Sequence, residues 1–284
     1  MKAVHPAIAK RGRLELSFAR APDGKTFIDK QFCSYPFHLC RPFYLDEGTA
    51  AGIASIYTQS CAGGIFARDN LLTEINVASK AQAHLTSQAS TIVHDGSQGK
   101  AEQICKISAD AGSLVEYVPD PIILFSGARL KSSVYLSVDE TAGVILFDSF
   151  LAHDHRGCGQ FFDLFKNNIQ IVKKDGSPLV TDRFELTGAA FAANKIGQMG
   201  GFTCHGSVLA LVPGVDLNPL IRSVRTIFKS FDGGVIGISR LPLVNGFSAR
   251  ILARDAVPMK RAMLTLWALS REALIGQTPE IRRK

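Results

Sequence analysis

Carboxylates are the most numerous chemistry-bearing side chains that fall inside apolar stretches of this chain. Asp46, Asp69, Glu74, Glu116, Asp120, Asp148 and Asp182 are scattered rather than paired, and two stand in strongly apolar runs: Glu116 in "SLVEYVP" and Asp148 in "VILFDSF". An ionised carboxylate in such surroundings needs a cation or water. Each of these acids therefore either meets an arginine or lines a wet passage. Arg41, Arg68, Arg129 and Arg183 stand beside them in sequence and are the expected partners.

The densest group of metal-type donors is "LAHDHRGCG" at 151–159, where His153, His155 and Cys158 fall within one short span and Asp154 could orient an imidazole. His-x-His on a strand places both rings on one face. A closed site would still need a ligand from elsewhere, such as His94 or His205, and a solvated loop is the alternative. "TSQAST" and "TCHGS" bring hydroxyls near histidines, but neither carries a Gly-x-Ser-x-Gly elbow. In "SCAGGIFARDNL", residues 60–71, the glycine pair lacks the spacing of a phosphate loop and leads into a strand pattern rather than a helix. A tight turn that presents Asp69 is the better reading. If Arg68 pairs with Asp69, that carboxylate is neutralised.

The elements that must position these groups are mostly short strands. In "RLELSFARAPDGKTFIDKQF", Leu14, Leu16 and Phe18 alternate before Pro22-Asp23-Gly24, which predicts a hairpin. Further strands are expected at 53–58, 72–78, 82–86, 90–94, 101–108, 113–118, 133–138, 143–150, 160–173, 179–186 and 202–212. No repeat of fixed period is visible, which argues against a propeller or a sequence-regular solenoid. Two segments show helical spacing. Leu217, Leu220, Ile221, Val224, Ile227 and Phe228 precede Gly233-Gly234, while Met259, Met263, Leu266, Trp267 and Leu274 follow a capping Asp255 and stop at Gly276. Strands at 235–240 and 247–253 lie between them.

At 284 residues, 46% hydrophobic and 20% charged, the chain has ample core material for a folded body. The formal net charge of +7 looks scattered, with Lys2, Lys10, Arg11 and Arg13 at the front and Arg282, Arg283 and Lys284 at the back. That distribution gives no reason to invoke nucleic acid. The longest apolar runs fall far short of the ~20 residues of a membrane-spanning helix, and the N-terminal region has no apolar signal core, so neither membrane nor export is expected and the default address is the cytoplasm. The six cysteines form no Cys-x-x-Cys and are expected to be free and mostly buried.

"RPFYLDEG", "GGIFARDNLLTEINV", "AQAHLTSQASTIVH", "GSLVEYVPDPIILFSGAR" and "LVTDRFELTG", in that order, resemble the urease accessory protein family called UreD or UreH. The C-terminal "ARILARDAVPMKRAMLTLWALSREALIG" is similar to the family's last strand and helix, so the resemblance spans nearly the whole chain. It implies a single mainly β domain over 1–284 with an extended, helical-β body at 10–212, then a helix, two strands and a closing helix at 213–284. It further implies a non-enzymatic maturation factor with no tightly bound cofactor. Its partners would be UreF, UreG through UreF, and the urease structural subunits, with Ni²⁺ in transit along an internal passage. On that basis Asp69, Glu74, Glu116, Asp120, Asp46, Asp148 and Asp182 are the candidate nickel contacts, with His153 and His155 as weaker additions. Replacing Asp69 or Glu116 by alanine would then lower nickel incorporation and spare assembly. Arg68, and "AHDHRGCGQ" with Gln160 where the family tends to carry an acid, depart from the family pattern. They motivate one alternative, a divergent paralogue in nickel handling or transport. A metal hydrolase built on His153, His155 and Cys158 is the other.

Overall fold

Leu14, Leu16 and Phe18 are buried on one side of their strand, as their alternation predicts. The structure, a computed structural model, describes residues 9–155, 157 and 159–280. It opens with the hairpin β1 (Arg11–Arg20) and β2 (Thr26–Cys33), with Gly24 at φ 92° in the turn, followed by β3 (Phe37–Leu39) and β4 (Ala54–Ser60). Two coils follow: β5 (Asn70–Val77), β6 (Gln82–Ser87) and β7 (Thr91–Val93), then β8 (Ala101–Ala109), β9 (Leu114–Tyr117) and β10 (Ile122–Phe125). The next coil is β11 (Arg129–Val138) and the long β12 (Gly143–His153). A hairpin of β13 (Leu164–Lys173) and β14 (Pro178–Thr187) leads through α1 (Gly188–Ala192) to β15 (Cys204–Leu211). The chain closes with α2 (Leu217–Ile227), the hairpin β16 (Gly234–Arg240) and β17 (Gly246–Ala253), and α3 (Ala256–Ile275).

Two sheets result. The first has the order β14-β13-β11-β8-β5-β1-β2, and the second runs β16-β17-β15-β12-β9-β6-β4-β3, with β7 and β10 forming a short third strip beside the far half of β12. Most pairings between coils are parallel, as a chain winding repeatedly in one sense requires. The body is therefore solenoid-like. Register partners such as Asn70 and Glu102, Ala101 and Leu130, or Arg129 and Leu164 show that successive turns differ in length, which is why no fixed period is visible in the sequence.

Leu16, Ile75, Ile107, Leu136, Ile171, Leu146 and Leu209 make one core between the sheets. Ile65, Leu71, Leu124, Leu130, Phe150, Phe162 and Phe165 make a second one. On the opposite face of the second sheet, Ile145, Phe147, Val208, Phe247 and Ile251 pack under α2 and α3. Asp255 caps α3 by accepting from the Val257 N–H at 2.8 Å, and Gly276 ends it at φ 77°. The helix predicted up to Gly233 stops earlier, at Ile227, and the expected strand at 160–173 starts at Leu164. The preceding loop is tied to the β10–β11 turn, where Gly127 N–H donates to the Phe161 carbonyl. No helix among the described residues is long and apolar enough to cross a membrane.

Candidate functional site

Where the first core gives way to the second, the inward-facing residues change from aliphatic to polar on both sheets. On the first sheet, Gln103, Ser132 and Asn167 are register partners across β8, β11 and β13, and Gln103 Nε2 donates to Ser132 Oγ at 2.9 Å. On the second, Thr58 pairs with Ser87, and Asp148 pairs with Ser207, which in turn pairs with Arg250. Asn167 Nδ2 donates to Asp148 Oδ2 at 2.5 Å and joins the two rows. A cavity of about 470 Å³ lies along this seam; apolar side chains such as Leu14, Ile75, Leu85 and Val134 make up most of its wall, and the polar row crosses it. Its lining includes Ser60, Ala62, Gly63 and Gly64 at one end and Asp148 at the other, with Ser87, Asp120 and Ser132 among the residues between.

Beyond Asp148 the polar row continues to Asp182, whose carboxylate meets the exposed guanidinium of Arg250 at 2.6 Å. Asn167 Oδ1 and Ser207 Oγ are buried and have no hydrogen-bond partner among the described residues. Buried polar atoms of this kind are normally satisfied by water. Burial pushes the Asp148 carboxyl up to about 7, with the charge of Asp182 adding to the rise and the Asn167 amide opposing it. Burial also pushes the Cys105 thiol in the same lining up to about 12, so it stays protonated. His205, stacked on Phe150, is pushed down to about 4 by burial and then by Arg250, and remains neutral. The seam thus offers carboxyl, hydroxyl and amide oxygens and no thiolate, a donor set suited to weak, exchangeable binding of a hydrated divalent cation.

The predicted site residues divide among different surroundings. Asp120 and Asp148 line the cavity, and Asp182 continues its line to the surface. Asp120 lies 3.4 Å from Lys260 of α3. Glu116 and Asp46 are elsewhere, on the helix side of the second sheet, where buried Arg271 donates from Nε to Glu116 Oε1 and from a terminal nitrogen to Asp46 Oδ2, both at 2.7 Å. A second guanidinium nitrogen meets Glu116 Oε2, and His84 Nδ1 meets the same oxygen at 2.6 Å. Burial works to raise the Glu116 carboxyl, but Arg271 and then His84 outweigh it and hold it at about 2. Trp267 lies against the guanidinium at 4.8 Å.

Asp69 is buried and fully engaged: Oδ1 accepts from the Lys10 N–H and Oδ2 from the Phe66 N–H, each at 2.8 Å, and Lys10 Nζ is 2.5 Å away. Arg68 is not its partner. That side chain donates to the Gln98 carbonyl instead. Glu74 points to the outer face of the first sheet, between Arg13 and Lys106 at 3.2 Å each. The cations that meet the acids are thus Lys10, Arg13, Lys106, Arg250, Lys260 and Arg271, brought by distant strands and by α3, in place of the neighbouring arginines expected from sequence. His153 and His155 both lie against Phe125, at 5.6 and 4.2 Å between ring centroids. No three His, Cys, Asp or Glu side chains among the described residues converge on a metal-sized site. Cys158 lies outside the described residues, as do Lys2, Arg282, Arg283 and Lys284. Of the other cysteines, Cys105 and Cys204 are buried as expected, while Cys33 and Cys61 are exposed.

The glycine pair at the cavity mouth is two different positions. Gly64 has φ 129°, and a Cβ there would come within 2.4 Å of the Ile92 carbonyl oxygen; Gly63 would meet nothing within 4 Å. Gly64→Ala is expected to cost at least ~1–3 kcal/mol, whereas Gly63→Ala should stay within about 0.5 kcal/mol of wild type in thermal unfolding. Equal midpoints for the two variants would contradict this assignment.

Asn167, Ser132 and Gln103 of the seam, and Arg271 of the buried network, are residues that sequence reasoning passed over, although Arg271 and Asn167 stand out in their local patterns. Met259, Met263, Trp267 and Arg271 recur at every fourth position, which places a cation on an apolar stripe. Asn167 interrupts the alternation of Phe165, Ile169 and Ile171.

The family model described as UreD urease accessory protein matches residues 10–284. A urease accessory protein UreD 1 of Pseudomonas syringae pv. syringae (strain B728a) is 32% identical, over 98% of this chain and 97% of its own length. The UreD 1 protein of Methylorubrum populi is 32% identical over 99% of this chain and 94% of its own, and the UreD protein of Photorhabdus laumondii is 27% identical over 95% and 85%. With a match across nearly all of its residues and relatives aligned end to end, the chain belongs to the UreD family of urease accessory proteins.

Proposed function

We propose that this chain is a non-catalytic scaffold for urease maturation. It binds the apo-urease structural subunits together with UreF, and through UreF the GTPase UreG, and lets Ni²⁺ pass along the polar seam toward the urease active site. Ni²⁺ is cargo here, and no tightly bound cofactor, nucleic acid or membrane is involved. The observation that supports this most is Asp148, a buried carboxyl on the polar row that crosses a largely apolar cavity between two apolar cores. A cation relayed by hydroxyls, amides and single carboxylates can be released again, as transfer demands. Asp69 and Glu116, the expected contacts, are engaged by Lys10 and by Arg271 and His84, so their replacement acts first on the fold and is a poor probe of transit.

The test is co-purification of the tagged chain with UreF and apo-urease, followed by nickel activation of the recovered complex. The expected result is a complex whose urease gains activity with Ni²⁺, and a deletion strain lacking it. Normal urease in the nickel-replete deletion strain would overturn the proposal.

A further inference from the structure

Cys33 and Cys61 are distant in sequence but each bonds to the same short stretch, Pro36–Phe37. Cys33 ends β2 in the first sheet, and its Sγ donates to the Phe37 carbonyl at 2.9 Å. Cys61 follows β4 in the second sheet, and its N–H donates to the Pro36 carbonyl at 2.8 Å. Phe37 is the register partner of Ser60, so the two cysteines flank the same short stretch of β3. Both thiols are free and exposed, and Pro36, Phe37, Ser60 and Ala62 beside them line the cavity mouth.

We infer that Cys33 and Cys61 form a reversible disulfide that ties the first sheet to the second across the cavity mouth. The oxidant is a low-molecular-weight disulfide of the glutathione class. The Cys61 thiolate attacks one of its sulfurs, a mixed disulfide forms and one glutathione thiolate leaves. The Cys33 thiolate then attacks the Cys61 sulfur, the protein disulfide forms and the second glutathione thiolate leaves. The two thiolates released take up the two protons given up by the cysteines, and the two electrons end on glutathione. Cys33 is assigned the second attack because partial burial, and then its neighbour Cys61, raise its thiol above the ordinary range. The inference stands on the positions of the thiols and is independent of the cation reading of the seam.

Treatment of the intact protein with oxidised glutathione, followed by alkylation and peptide mapping, tests it. The expected result is loss of both free thiols, with the peptides carrying Cys33 and Cys61 joined and dithiothreitol separating them. In Cys33→Ser or Cys61→Ser, the remaining thiol should instead carry glutathione. Both substitutions are at exposed positions. Wild-type protein that carries a separate glutathione on each cysteine, leaves both free, or links either one to Cys40 would overturn the inference.

Discussion

Arg271→Ala is expected to lower the free energy of unfolding by about 3–5 kcal/mol, the range seen when one partner of a buried ion pair is removed. Arg271 and Glu116 are among the least exposed residues of the chain, at 1% and 0%, and Asp46 beside them is 8% exposed. Without the guanidinium, Glu116 keeps His84 and Asp46 keeps the Glu280 N–H, and both carboxylates lose their cation. Arg271→Met keeps most of the volume but leaves the same uncompensated charge, so it should not rescue. Combining it with Glu116→Gln and Asp46→Asn should recover part of the loss. Chemical denaturation at pH 7 measures all of these, and an Arg271→Ala midpoint equal to wild type would refute the role given to the network. The pH dependence has a definite sign. Because the Glu116 carboxyl is held at about 2 in the folded state, against an ordinary 4.5, its contribution is present above the ordinary value and disappears as pH falls toward about 2. Wild type should lose stability across that window more steeply than Arg271→Ala.

Asp148→Asn should act in the opposite direction on stability and still impair function. The folded-state carboxyl titrates at about 7 against an ordinary 3.8, so between those values the native protein holds a proton that the unfolded chain has lost. Stability therefore declines as pH rises through that interval and levels off above it. The amide removes this cost, and the variant should be more stable than wild type by ~2–4 kcal/mol above pH 7, with the difference shrinking toward pH 4. Its amide oxygen can still accept from Asn167. If the seam conducts Ni²⁺, the same variant should assemble with its partners and activate urease roughly tenfold less well, the order of loss seen when the polar surroundings of a metal are altered. Full activation would remove Asp148 from the path, and a destabilised variant would contradict the burial argument. A residue that costs stability and is kept for its chemistry is the pattern expected at a functional position.

Strand and helix positions were largely legible in this sequence because alternation and four-residue spacing are local signals. Leu14-x-Leu16-x-Phe18 and the stripe from Met259 to Trp267 appear where their periods place them. β3 and β10 escaped because "FHL" and "IILF" are short and show no clear apolar–polar alternation of their own. Ion-pair partners were not legible at all. Parallel coiling sets Glu74 of β5 beside Lys106 of β8, and folding α3 over the second sheet brings Arg271 to Glu116, so proximity in space owed nothing to proximity in sequence. The seam was half visible: Asp148 stood out as an acid in an apolar run, but its facing residues Asn167 and Ser132 become meaningful only once register aligns them.

A polar seam between two apolar cores also has a mechanical consequence. Cooperative unfolding depends on close contact that transmits the loss of one part to the next, and here a cavity crossed by a row of hydroxyl, amide and carboxyl side chains lies between the two cores. The core around Phe150, Phe162 and Phe165 lacks the backing of the two long helices, which cover the opposite face of the second sheet. It can breathe as its own subglobal unit while the helix-backed layer holds. The seam is then a line along which the molecule can widen without coming apart as a whole.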